Sequence, residues 1–254
     1  MNARKASRAS QLGNELCEAE DTEEMFWLRQ NDDVQSRIEL GDLLAEQYRF
    51  SEAAKAFESA LKAKPDDPSL WLKLGGARLT LLDLDGARTA YENAQASGAD
   101  AKSLGYPHGV WHSLRGEYGE AIKRFESCRP CGGETEIALL YWIDLCRIRS
   151  GEDPLPTERR LKITDVGHHA AYARSVALFD GAITADEFYA EMDGCNDLDR
   201  VIAGYALFRF LVFRGENERG KQILEQILRI ESVWPCVAGL AAWNDFCKED
   251  RKNG

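Results

Sequence analysis

A chain of 254 residues with 44% apolar and 30% charged side chains has the composition to bury a core. Its net charge of −11, from 43 acidic against 32 basic residues, argues against a nucleic-acid backbone as main partner, because phosphate contacts need a local excess of Lys and Arg. Seven scattered cysteines point to free thiols in a reducing compartment, and no apolar run approaches the roughly 20 residues that span a bilayer, so the expectation is a cytoplasmic chain with no membrane and no nucleic-acid partner.

The chain opens on a basic arm, Arg4, Lys5 and Arg8, which lacks the apolar stretch of a secretory signal. Next comes an acidic stretch, with Glu15, Glu18, Glu20, Asp21, Glu23 and Glu24. From Thr22 the run Thr-Glu-Glu-Met-Phe-Trp-Leu reads as a helix start, with threonine at the N-cap and acids in the first turn, where the helix dipole favours them. Residues 1–33 are thus an arm and a docking helix, whose Met25, Phe26 and Trp27 are expected to pack on the helical segment that begins at residue 34. The acids read as a solvated helix face.

Residues 34–135 carry one pattern three times at a spacing of 34 residues, with no insertion or deletion. Glycine falls at Gly41, Gly75 and Gly109, and twelve positions later alanine falls at Ala53, Ala87 and Ala121. Then come an aromatic (Phe57, Tyr91, Phe125), a glutamate (Glu58, Glu92, Glu126) and a small residue (Ala60, Ala94, Cys128). A period of this length means stacked helical pairs. Each glycine lies inside an amphipathic segment, such as 36–46 or 70–81, where it costs about 1 kcal/mol relative to alanine. The expected compensation is a close helix crossing, with the alanine of the second helix facing the glycine and the aromatic filling the remaining volume.

This pattern resembles the tetratricopeptide repeat, a helix–turn–helix unit of the same period. Counting each repeat from residue 34, 68 or 102, the glycine, alanine, aromatic and second small residue stand at positions 8, 20, 24 and 27. Trp71, Leu74 and Pro65 also fall where the family pattern has their like. The third repeat departs from it, with Gly105, His108 and His112 in its leading helix. Pro107 is expected to delay that helix to about residue 107, leaving 99–106 as a connection.

The resemblance implies a right-handed α–α superhelix that binds a polypeptide in a concave groove lined by positions 2, 5, 9, 12 and 13 of the leading helices. Here those are Gln35, Ile38, Asp42, Ala45 and Glu46, then Ser69, Leu72, Gly76, Leu79 and Thr80, then Ser103, Tyr106, Val110, Ser113 and Leu114. Members that clasp acidic chaperone tails hold the carboxylate with Lys, Arg and Asn, and Ile38, Asp42 and Ser103 stand in their place. The expected groove residues are Ile38, Asp42, Glu46, Leu72, Gly76, Leu79, Tyr106 and Val110. Leu72, Leu79, Tyr106 and Val110 suit the apolar face of an amphipathic helix or an extended peptide, and Asp42 and Glu46 favour a basic residue at one end. The chain's own N-terminal helix or its C-terminal half is the competing occupant.

Beyond the third repeat, 136–149 has the apolar density of another leading helix, with Leu139, Leu140, Trp142, Ile143 and Leu145. Gly151, Pro154 and Pro156 then interrupt the array, so 136–166 reads as a degenerate unit or hinge with a short helix at most over 157–163. Helical periodicity returns over 168–179, 184–192 (with Thr184 as cap), 197–213 and 216–230. Gly181 and Gly215, again 34 apart, occupy the turn position of Gly116, so 167–200 and 201–234 read as diverged repeats. After Pro235 a final helix over 236–247, with Val237, Leu240, Ala241 and Trp243, is expected to cap the open end of an all-α solenoid.

Candidate chemistry is sparse. Cys128-Arg-Pro-Cys131, with His108 and His112 upstream, offers a ligand set for zinc or a redox pair. Yet Cys128 holds the small-residue position of Ala60 and Ala94, the two histidines hold core-facing positions, and a redox cysteine needs a helix N-terminus rather than a C-terminus. His168-His169 has only Asp165 nearby, and no HExxH, nucleophile-elbow or phosphate-loop motif occurs. The reading is a protein-binding adaptor or scaffold, not an enzyme, without cofactor or metal; a zinc- or thiol-dependent protein built on Cys128 and Cys131 is the alternative.

Overall fold

The computed structural model describes residues 20–131, 133–155 and 170–252. Among these residues there are thirteen α-helices and no strand, and consecutive helices pack on one another. The chain divides into two compact units, Met1–Pro107 and His108–Gly254. The basic arm, the helix expected over 157–163 and the pair His168-His169 lie outside the described residues.

The first unit holds α1 (Glu23–Gln30), α2 (Val34–Glu46), α3 (Phe50–Leu61), α4 (Pro68–Thr80), α5 (Leu84–Ala96) and the first part of α6 (Ala101–Arg115). Short polar side chains start these helices by accepting the orphan amides of the first turn. Thr22 accepts from the Met25 amide, Asp33 from Ser36, Asp67 from Ser69 and Leu70, and Asp83 from Gly86. Pro68 sits at the start of α4, where no amide hydrogen is needed.

The glycines are covered differently from the expectation. A methyl group on Gly41 would lie 2.4 Å from the Phe57 ring, on Gly75 2.3 Å from the Tyr91 ring, and on Gly109, in the second unit, 2.4 Å from the Phe125 ring. The partner is the aromatic, not the alanine one turn before it. A flat ring needs the surface that a missing Cβ leaves, whereas Ala53, Ala87 and Ala121, all 0% exposed, are small enough to be buried without it.

Two further expectations are corrected. Met25 and Leu28 dock α1, but Phe26 is 63% and Trp27 60% exposed. Positions 25 and 28 share one helical face, and 26 and 27 turn away from it. In addition, α6 begins at Ala101 and keeps Pro107 inside it. The Asp100 carboxylate accepts from both the amide and the hydroxyl of Ser103, at 2.8 and 2.9 Å, which closes the first turn well before the proline. The carbonyl that Pro107 leaves without an amide belongs to Ser103, an exposed residue.

The second unit continues with α7 (Tyr118–Ser127), α8 (Gly133–Arg149), α9 (Ala170–Phe179), α10 (Ala185–Glu191), a 3-10 turn (Met192–Gly194), α11 (Asp197–Phe213), α12 (Asn217–Ile227) and α13 (Val237–Lys252). Helices α8 and α11 are buried on nearly all sides and form its core. Thr184 and Glu187 make the reciprocal capping box that starts α10. Leu240, Ala241 and Trp243 of α13 are buried, and Val237 is half-buried.

One turn recurs through both units. Tyr48, Leu82 and Gly116, 34 apart, have φ of 62°, 56° and 88°, and Gly181 and Gly215 have 72° and 86°. In each case the next amide bonds back to a carbonyl of the preceding helix, as Arg49 to Leu44, Asp83 to Arg78, Glu117 to His112, Ala182 to Ala177 and Glu216 to Leu211. Helices past residue 170 thus reverse direction by the device used in the regular repeats.

Candidate functional site

Burial separates the two sides of the leading helices in the first unit. In α2, Leu40, Gly41 and Leu44 are buried, while Ile38, Asp42 and Ala45 stay half-exposed and Glu46 is exposed. In α4, Leu70, Leu74, Gly75 and Ala77 are buried, and Leu72, Gly76 and Thr80 are half-exposed. Tyr106 of α6 is half-exposed as well. Ile38, Leu72 and Tyr106 occupy the same position in three successive leading helices, 34 residues apart. Beside this apolar series, a methyl on Gly76 would meet nothing within 4 Å.

Two of the expected lining residues lie in the core. Leu79 is 7% exposed and Val110 1%, so neither presents its side chain to a partner. In the second unit the neighbouring positions are covered too: Ser113 and Leu114 are 0% exposed, and the Leu114 carbonyl accepts from Asn244 at 2.7 Å and Lys248 at 2.6 Å, both on α13. The inner positions that come after Pro107 are therefore enclosed, and the Leu114 carbonyl is taken by the chain's own C-terminal helix. The acid expected to meet a basic ligand residue is also reassigned, since Asp42 already holds the Lys73 ammonium while Glu46 is exposed.

A cleft of about 330 Å³ opens on a different face of α4, between α3 and α5. Leu61, Trp71, Leu74 and Ala90 line it, and Arg78 reaches across it to Glu58 at 2.6 Å. The Trp71 indole donates to the Pro65 carbonyl, which fixes the ring in that wall.

The Cys128–Cys131 segment is organised by a buried carboxylate. Glu136, 0% exposed, accepts from the Cys131 amide at 3.0 Å, the Cys131 thiol at 3.4 Å and the Arg129 guanidinium at 2.5 Å. Burial opposes its charge, but these donors prevail and hold its carboxyl below the ordinary glutamate range. The Cys128 thiol donates to the Arg124 carbonyl, and His112 pairs with Glu117 at 2.7 Å. Among the described residues, no group of three His, Cys, Asp or Glu side chains is arranged to hold a metal. Burial pushes the His108 imidazole down to about 4 and the Cys146 and Cys236 thiols up to about 11 each. Glu136 was readable as an acid in the first turn of α8, though its partners five and seven residues upstream were not.

A second buried charge cluster lies in this unit. Arg149, with its side chain 2% exposed, donates to Asp245 at 2.5 Å and to the Tyr205 hydroxyl at 2.7 Å, and Tyr205 donates to Asp245 at 2.9 Å. It ties α8, α11 and α13 together and lies within the packed core.

No helix among the described residues is long and apolar enough to cross a membrane. A family profile of the tetratricopeptide repeat matches residues 34–77, which span α2, α3 and most of α4. No curated protein matches the chain.

Proposed function

We propose that the chain, whose residues 34–77 match the tetratricopeptide repeat, is a protein–protein interaction scaffold that holds an amphipathic helix or extended peptide of a partner against the open side of α2, α4 and the start of α6. The observation that carries this reading is the series Ile38, Leu72 and Tyr106, apolar side chains left half-exposed at one position of three successive helices. A peptide laid across them would bury apolar surface at each helix, and Gly76 leaves room for its backbone or a side chain to approach. Exposed Glu46 marks the end where a basic residue of the ligand would pair, because Asp42 is engaged by Lys73. The Leu114 end of α6 is left out of the site, because Leu114 is buried and its carbonyl is taken by Asn244 and Lys248 of α13.

A photo-crosslinking side chain placed at Gly76 tests this placement, since a Cβ there would meet nothing within 4 Å. It is expected to trap a partner polypeptide, and the same group at Lys55 of α3, exposed on a trailing helix, is not. Equal trapping from both positions would contradict the reading.

A further inference from the structure

We propose that the outward face of α1 is a second docking surface, taken by a basic amphipathic segment of a partner protein. A helix anchored by Met25 and Leu28, at 0% and 2% exposure, needs no aromatics on its far side, yet Phe26 and Trp27 stand there 63% and 60% exposed. Helical spacing puts Glu23 one turn before both rings and Gln30 one turn after them, so the four side chains form a single face.

The charges around this face are sorted. Its nearby cations are engaged, since Arg29 and Arg49 hold Asp21 and Glu52 in a four-membered network that fastens α1 to α3. Glu20, Glu23 and Glu24 are exposed and make no ion pair among the described residues. Among the described residues the aromatic pair is therefore rimmed by negative charge without a paired cation.

That charge selects the occupant. A second copy of the chain would set the same carboxylates against each other, with the net charge of −11 adding to the repulsion. An anionic lipid surface meets the same obstacle. A segment with Lys or Arg beside an aliphatic stripe fits instead: its cations pair with Glu23 and Glu24 and lie on the Trp27 ring, and its aliphatic side chains cover Phe26. This surface shares no residue with the open side of α2 and α4, so it stands or falls separately from the function proposed above.

The test uses the full chain and, as probe, a fluorescein-labelled amphipathic helix of leucine and lysine, with its leucine–glutamate counterpart as control. The lysine helix is expected to bind and the glutamate helix not. Phe26→Ala with Trp27→Ala should weaken binding by at least roughly tenfold, as loss of an aromatic anchor does, while the melting temperature stays unchanged because both rings are solvated. Glu23→Gln with Glu24→Gln should also weaken it and flatten its salt dependence. Undiminished binding by the double alanine variant overturns the proposal, as does loss of binding on Leu72→Asp, which would put the probe on the other surface. Two results assign the face to another occupant and equally overturn it: a wild-type dimer that Phe26→Ala with Trp27→Ala dissociates, or tighter probe binding after Arg4→Glu, Lys5→Glu and Arg8→Glu, which would mean that the chain's own arm competes.

Discussion

Gly75 and Gly76 are neighbours in α4, yet a methyl group added to each should act in opposite directions. At Gly75 it would lie 2.3 Å from the buried Tyr91 ring, and at Gly76 it would meet nothing within 4 Å. Gly75→Ala is expected to destabilise by roughly 1–3 kcal/mol through overpacking. Gly76→Ala should stabilise by up to about 1 kcal/mol through helix propensity alone. Urea midpoints of the two variants check this, and a shift of the same sign for both would refute the packing described. The sequence marked Gly75 as special by its period but could not say what covers it, because ring and alanine lie one turn apart on the same stripe of α5. His108 adds a pH test. Its burial, with Arg124 and His112 nearby, holds it down to about 4 against an ordinary 6.5. The folded chain thus binds this proton less readily than the unfolded chain, so His108 costs nothing above pH 6.5 and lowers stability as the pH falls from 6.5 towards about 4. His108→Leu should flatten that part of the profile of urea midpoint against pH; an equal slope in both proteins would contradict the burial.

At the scale of elements, the helices could be read from period and caps, and the departures have local causes. Pro107 by itself signals a helix start, but Asp100 sits three residues before Ser103, and that capping geometry sets the start of α6 at Ala101. For α1, the apolar run 25–28 announced a docking helix; only the angular spacing of its members separates Met25 and Leu28 from Phe26 and Trp27. The attachment of α13 was illegible for a different reason. Arg149 and Asp245 are 96 residues apart in sequence, and neither belongs to a motif. Removing one partner of this buried pair leaves the other charge uncompensated, so Asp245→Ala should destabilise by about 3–5 kcal/mol. Loss of less than about 1 kcal/mol on chemical denaturation, the size typical of an exposed pair, would mean that the cluster is solvated.

For the whole molecule, the regular period over 34–135 made the all-α repeat fold legible, and the match of residues 34–77 to the tetratricopeptide repeat agrees with it. The binding side was only partly legible. A repeat register assigns equivalent positions equally, but tertiary cover does not respect the register: Ile38, Leu72 and Tyr106 remain half-exposed, whereas Val110, Ser113 and Leu114 are enclosed in a unit whose C-terminal helix donates to Leu114. Partner binding is accordingly proposed for the open positions of the first unit. Affinity capture with quantitative mass spectrometry, comparing the wild type with Leu72→Asp combined with Tyr106→Ala, tests this most directly. The variant is expected to keep its helical circular dichroism and to lose the captured partners, whereas a folded variant that retains the same partners at unchanged affinity would contradict the assignment of the open helix face as the binding site.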